Sequence, residues 1–316
     1  MSPINSLVSD LELHKELVDC LKNRSLEQKF LYLNDGAMVY YQASVKTSDD
    51  FSEGQYYDLF TSQFNKKRRV ALVSLGCGNA KAEHNILQRL QKDGYNFTYF
   101  GVDSSRQMLD LAVKNLSDLE CERQYLCADI AEESFRDEIS QLTNDFDCRM
   151  FLFFGGTMGN VNQTNIIDSL YNILKKDDLL LVNVRVRQSL DNSEDLKVFN
   201  FYTGYLNSPQ FRPFLLEPIV KLGIDPSYGT LVLEMVKEKS IGTLLMKFLF
   251  AVDKKIVIKV RDEAIHILPE EKIELLNIRV YHPRVMENFF KEHNFKLVKE
   301  IINDQSNIGF FIYKKV

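Results

Sequence analysis

A chain of 316 residues that is 45% hydrophobic and 26% charged can bury a sizeable core, which excludes a disordered or fibrous protein. Lys and Arg number 39 against 44 Asp and Glu, and a net charge of −5 offers no surplus of cations to a phosphate backbone, so no nucleic-acid partner is expected. The 5 cysteines (Cys20, Cys77, Cys121, Cys127, Cys148) contain no C-x-x-C pair and the 5 histidines stand apart, so reduced thiols in the cytoplasm and no metal are expected.

Residues 8–22 space Val8, Leu11, Leu17, Val18 and Leu21 as the apolar stripe of an amphipathic helix. Asp10, Glu12, Glu16 and Asp19 interrupt that stretch, which is unlike a signal peptide. The longest apolar run, Leu244–Val252, contains Lys247 and is too short to cross a bilayer, so no membrane partner is expected. Residues 29–60, rich in tyrosine and broken by Asn34-Asp35-Gly36, read as short helices and loops. The basic run Lys66-Lys67-Arg68-Arg69 reads as the solvated edge of the strand that follows it.

From residue 70 to 187, apolar runs at 70–75, 97–102, 124–127, 149–154 and 178–186 alternate with helical stretches at 80–93, 105–116, 133–142 and 162–175. Residues 188–278 break the rhythm with an aromatic helical segment, a proline-bearing stretch and runs that read as antiparallel strands. The tail returns to α/β character with a strand at 273–280, a helix at 284–293 and strands at 295–302 and 308–314 that complete the sheet. The expected fold is α/β, a doubly wound, mostly parallel seven-stranded sheet with a second, smaller domain. Residues 63–187 and 279–316 are assigned to the first domain, 1–62 and 188–278 to the second.

The sharpest local signal is LVSLGCGNA at 72–80, a strand feeding a Gly76-Cys77-Gly78 turn that opens a helix. Glycines there let the backbone bend and approach a ligand, and the helix N-terminus favours negative charge. The second strand ends in Gly101-Val102-Asp103-Ser104, whose carboxylate suits two ribose hydroxyls, and the third ends in Asp129-Ile130, a pair suited to an adenine amino group and its flat face. Both aspartates equally suit helix N-capping. A dinucleotide fingerprint would want a third glycine where Lys81 stands, so the turn fits a single nucleoside cofactor, S-adenosylmethionine, better. The fourth strand runs into Gly155-Gly156-Thr157-Met158-Gly159-Asn160, an open loop whose Asn160 amide can accept from an amine and donate to a carboxylate; the alternative is an N-cap for the following helix, a role open to Asn162 as well.

These features resemble the class I S-adenosylmethionine-dependent methyltransferases, and within them the histidine-specific N-α-methyltransferase family of ergothioneine biosynthesis. FFGGTMGN (153–160) is similar to that family's F-x-G-[GS]-T-[IM]-G-N signature, Lys29-Phe30-Leu31-Tyr32 with Gly36 to its K-[WF]-[LF]-Y-x-x-x-G segment, Gln55-Tyr56-Tyr57 to its E-Y-Y, and Tyr281-His282-Pro283 to its [FY]-x-P turn. The resemblance implies that Asn160 and Tyr56 orient the substrate amine, that Tyr32 and Tyr202 hold its acid group, and that Gly76, Cys77, Gly78, Asp103, Ser104, Asp129, Ile130 and Gly155 hold the cofactor. It also implies two departures. Ser74 stands where the family has an acidic residue, and Leu276 and Ile278 stand where it has the glutamate and serine that grip an imidazole.

The expected function is therefore methyl transfer from S-adenosylmethionine to the nitrogen of a small amine, an amino acid or derivative other than histidine. The alternatives are an oxygen- or protein-directed methyltransferase, and a non-catalytic module that binds S-adenosylmethionine and presents its aromatic segment to a partner.

Overall fold

The apolar runs of the first half lack polar alternation because both of their faces are covered. In the computed structural model, which describes residues 4–8, 10–33, 35–44, 54–63, 65–238, 242–260 and 263–316, Val70–Leu75 and Cys148–Phe153 are buried at every position. The chain opens with β1 (Ile4–Ser6), α1 (Asp10–Lys22), α2 (Asp35–Ser44) and α3 (Gly54–Thr61). It then alternates β2 (Val70–Leu75), α4 (Lys81–Lys92), β3 (Phe97–Asp103), α5 (Arg106–Asn115), β4 (Glu122–Cys127), α6 (Glu133–Leu142), β5 (Cys148–Phe153), the single turn α7 (Thr157–Asn160), α8 (Gln163–Ile173) and β6 (Leu179–Arg185). After α9 (Asn192–Leu206) and α10 (Phe211–Lys221) come β7 (Gly229–Glu238), β8 (Thr243–Val252), β9 (Ile256–Val260), β10 (Glu263–Ile267) and β11 (Lys272–Val280), and the chain closes on α11 (Pro283–Glu292), β12 (Phe295–Asn303) and β13 (Ile308–Lys315).

The chain divides into two compact units: residues 1–8, 47–188 and 281–316, and residues 9–46 and 189–280. The first contains a sheet in the order β1-β4-β3-β2-β5-β6-β13-β12, parallel from β1 to β6 and closed by an antiparallel hairpin. The chain runs from β2 outward through β3 to β4, then returns past β2 to β5 and β6, and α4 packs with α5 while α6 packs with α8. The doubly wound α/β expectation holds, with eight strands in place of seven. One of the eight is β1, outside the expected strands, whose three residues pair with Tyr125–Cys127 at the sheet's edge.

The second unit is built on the antiparallel sheet β11-β8-β7, the hairpin β9–β10 and helices α1, α2, α9 and α10. The strand at 273–280 does not complete the central sheet, as expected from its position before the last helix, but pairs antiparallel with β8. The observed division also differs from the expected one at the N-terminus, since β1 and α3 lie in the first unit. Gly36 is required by close approach: a Cβ there would stand 2.1 Å from the Leu31 carbonyl oxygen, where α2 leaves the turn that carries Tyr32.

At the amino end of β5 the first unit buries a complete ion-pair network. Arg149 donates to Asp178 through Nε at 2.9 Å and through Nη2, and also to the Ile173 carbonyl at 2.7 Å and the Thr143 hydroxyl at 3.3 Å. Arg149 and Asp178 are 2% and 4% exposed, so removing one leaves the other charge desolvated and unpaired. Arg149→Ala should cost about 3–5 kcal/mol in urea unfolding. A loss below about 1 kcal/mol would show that water reaches the site.

Candidate functional site

In an open parallel sheet a ligand crevice forms where successive crossovers part, outside the carboxyl ends of the strands. Here that point lies between β2 and β5, and each of these strands ends in a glycine loop. Gly76 and Gly78 adopt φ of +65° and +54°. A Cβ on Gly76 would stand 2.8 Å from Thr157 Cγ2, so this glycine is what lets the two loops touch, whereas a Cβ on Gly78 would meet nothing within 4 Å and its face is open. Gly155 and Gly156 also take positive φ, +66° and +77°, with open space where side chains would be.

Asp103, half-buried at the end of β3, clamps the turn: its Oδ2 accepts from the Gly78 N–H and its Oδ1 from the Ser105 N–H, both at 2.8 Å. Helix α5 is capped by Ser105, whose hydroxyl accepts from the Met108 N–H at 3.3 Å, so Asp103 is not its cap. Burial pushes the Asp103 carboxyl up to about 6 against the pull of those two N–H groups. Ala128 N–H donates to the Asp103 carbonyl at 3.0 Å and Cys127 Sγ to the Ser104 carbonyl at 3.6 Å, which brings the ends of β3 and β4 together. Asp129 Oδ1 accepts from the Ala131 N–H at 2.9 Å, and Ile130 beside it is half-buried. Cys77 is buried, with its thiol held well above the ordinary range by desolvation, and Gly155 is exposed.

Asn160 ends the α7 turn, and Asn162, not Asn160, caps α8 by accepting from the Asn165 N–H at 3.3 Å. Freed from capping, the Asn160 Oδ1 is buried without a hydrogen-bond partner among the described residues. The same holds for Gln163 Nε2 and His282 Nδ1. The loop is fastened from below by Tyr281, whose hydroxyl donates to Gln163 Oε1 at 2.9 Å, while Tyr281 itself bridges to Val186 beyond β6. Desolvation and the Arg187 and Arg284 charges hold the His282 imidazole below its ordinary value. A buried polar group without a partner is costly, and three such atoms lie along this loop and its support.

In the second unit, Tyr202 and Leu276 are buried and Tyr32 and Ile278 packed against them in one apolar cluster that also holds Phe214, Phe248 and Met246. Leu276 and Ile278 are opposite Phe248 and Met246 on β8, past a bulge at Leu275, and so share a face. Tyr32 packs edge-on to Tyr40 at 5.0 Å, and its hydroxyl accepts from Gln28 Nε2 at 3.1 Å. Tyr56 is on α3, and its side chain lies outside the described residues. Its neighbour Tyr57 is buried and donates to Asp93 at 2.6 Å.

Sequence reading missed Glu83. It lies in the first turn of α4 with 2% exposure, and its carboxylate accepts from the Ser74 hydroxyl on β2. Positions 83, 86, 87 and 90 form the buried stripe of α4, so a carboxyl at the first of an i, i+3, i+4, i+7 set was the available signal. Desolvation raises the Glu83 carboxyl from 4.5 to about 7, outweighing the Ser74 bond. The native state therefore keeps a proton that the unfolded chain has lost, and the stability this gives is complete below pH 4.5 and lost as pH rises through about 7. Glu83→Gln, neutral throughout, should gain melting temperature relative to the parent between about pH 5 and about pH 8. A difference that stays flat with pH would place the carboxyl in water.

Among solved structures the chain is similar to an S-adenosylmethionine-dependent methyltransferase from Clostridium acetobutylicum (11% identity, 88% of this chain and 97% of that one, TM-score 0.47). It is similar too to CalS10, an amino pentose methyltransferase from Micromonospora echinaspora (12%, 88% and 96%, 0.42), and to a chain described as a putative zinc-dependent alcohol dehydrogenase from Rhodobacter sphaeroides (12%, 90% and 98%, 0.49). No curated protein matches the chain. Residues 13–192, more than half of its length, match the family described as histidine-specific, S-adenosylmethionine-dependent methyltransferases. The chain belongs to that family and is an S-adenosylmethionine-dependent methyltransferase.

Proposed function

We propose that the protein methylates the amine nitrogen of a small molecule, an amino acid or derivative with a less polar side chain than histidine, and that the first unit holds the cofactor and orients the amine. Several features of the first unit fit S-adenosylmethionine. The open face of Gly78 admits a ligand against the backbone, and each Asp103 oxygen keeps a lone pair for a ribose hydroxyl after accepting its one N–H. Ser104 and Cys77 flank those hydroxyls, Asp129 and Ile130 take the adenine edge and face, and Gly155 leaves room beside the sulfur. When bound, the cofactor supplies a methyl group on a positively charged sulfur, open to in-line displacement.

The observation that carries the reading is the unpartnered Asn160 Oδ1. An acceptor held in a fixed loop takes one N–H of an incoming amine and so directs the nitrogen lone pair. Tyr56 is assigned the second contact to that amine, and Tyr32 and Tyr202 the acid group of the substrate. Alignment and exclusion of water are the contributions asked of these residues.

The aliphatic pair on β11 supports a substrate other than histidine. Leu276 and Ile278, among Phe248 and Met246, offer no hydrogen-bond partner, and an imidazole N–H buried there would cost about 1–3 kcal/mol.

Two experiments test the reading. Asp103→Ala should weaken S-adenosylhomocysteine binding roughly tenfold or more, while Asn160→Ala leaves that affinity nearly unchanged and sharply lowers methyl release with any accepted amine. Equal loss of both properties in Asn160→Ala would make the loop structural. In the unmodified protein, histidine should be outcompeted by amines with apolar or aromatic side chains, and Leu276→Glu with Ile278→Ser should shift preference toward it. Efficient α-N-methylation of histidine by the parent would refute the specificity argument.

A further inference from the structure

Behind the glycine turn stands a carboxyl group with no ion-pair partner among the described residues. Glu83 is 2% exposed, and neither it nor Asp103 in front of it makes an ion pair with any described residue. The ionisable groups that act on the pair from the turn and the neighbouring strands are Cys77 and, on β3, Tyr99, with Tyr125 on β4 closing the cluster; all are neutral at pH 7, since burial raises each of them. The three crowd one spot, because a Cβ on Gly101 would stand 3.0 Å from Tyr125, 3.1 Å from Tyr99 and 3.3 Å from Cys77 Sγ. The Tyr99 and Tyr125 hydroxyls are themselves buried without hydrogen-bond partners among the described residues. Among the described residues the hydroxyl that donates to Glu83 is that of Ser74, and the helix N-terminus offsets part of a charge at most.

An apolar residue would fill this place on the buried stripe of α4 without desolvating a carboxyl, as Ile86, Leu87 and Leu90 do on the turns that follow. A buried carboxyl facing only neutral groups and a second carboxyl sits in a field that a cation would relieve. Lys81 opens α4 at this turn but makes no described ion pair with Glu83 or Asp103, so the sulfonium of a bound cofactor is the cation the pair would meet.

We propose that Glu83 is a positioning residue of the cofactor turn, holding β2 to the first turn of α4 through Ser74, and that the positive charge of S-adenosylmethionine completes its ionisation on binding. The proposal rests on the reading of the Gly76–Gly78 turn as the cofactor site. It makes Glu83 the source of a proton released when the cofactor binds, a property that a role in packing alone does not produce.

The test is calorimetry of S-adenosylmethionine binding at pH 7 in two buffers of different ionisation enthalpy, on the parent, Glu83→Gln, Glu83→Ala and Asp103→Ala. The parent should release about half a proton per site, since the Glu83 carboxyl is half-protonated near that pH. Glu83→Gln should lose most of that release and bind several-fold more weakly, and Glu83→Ala should lose on the order of tenfold in affinity. The glutamine variant keeps the Ser74 bond, so it carries the test if the alanine variant does not fold. Parent-like affinity and proton release in Glu83→Gln, with Asp103→Ala impaired, overturns the proposal and leaves the cofactor site standing. Weaker binding with proton release unchanged also overturns it, leaving Glu83 a packing residue. Parent-like binding in both Glu83→Gln and Asp103→Ala removes the cofactor site itself.

Discussion

The contact between Gly76 and Thr157 is the constraint on which the first unit's crevice depends. β2 and β5 are adjacent, their crossovers part at this point, and both connecting loops must occupy the same small space at their carboxyl ends. A single added carbon at Gly76 would stand 2.8 Å from the threonine methyl, so one loop would have to withdraw. Either withdrawal has consequences further out. The turn carries the Gly78 N–H that Asp103 grips, and the α7 loop carries Asn160. Tyr281 holds the second loop from the far side through Gln163, which is how a motif more than a hundred residues downstream comes to govern the same edge.

The two ends of the sheet differ in how they treat buried polarity. At the amino end, Arg149 finds Asp178, Thr143 and a carbonyl, and Asp178 also accepts from the Lys175 N–H at 2.6 Å. At the carboxyl end, Asn160, Gln163 and His282 each leave a buried atom without a partner among the described residues, and Glu83 accepts from a hydroxyl. Unfavourable groups of this kind persist in a fold where a ligand completes them.

The elements were legible where one period ruled a whole segment. Runs such as Val70–Leu75 and Cys148–Phe153 read as strands because both faces are buried, and the glycine loops read as turns because positive φ demands them. Ile4–Ser6 was not legible, since three residues carry no period and its pairing with β4 is decided by tertiary contact alone. β11 was legible as a strand but not in its partner, because a strand before a last helix fits either sheet, and only its register against β8 decides. Asn160 and Asn162 were equivalent as caps on paper; the α7 turn, which ends on Asn160, makes them different. Glu83 escaped because a charged residue near a helix start usually faces water, and the stripe that contradicts this must be read through Ile86 and Leu87.

The cofactor half of such a site and its substrate half are written in different chemistry, and this is why one is easier to read than the other. In the proposed reading the first half is mostly backbone: open faces at glycines beside one carboxylate that the N–H groups of Gly78 and Ser105 hold in place. Backbone requirements constrain sequence tightly, since a glycine at positive φ or at a close approach has few substitutes. The second half is side chain, and side chains can change without disturbing the strand that bears them. Leu276 and Ile278 occupy regular positions on β11, opposite Phe248 and Met246, and polar groups there would leave the ladder to β8 intact while changing what can be desolvated against it. A family match carried by residues 13–192 therefore speaks for the methyl donor, whereas in the proposed reading the choice of acceptor depends also on residues such as 276 and 278 that lie beyond it.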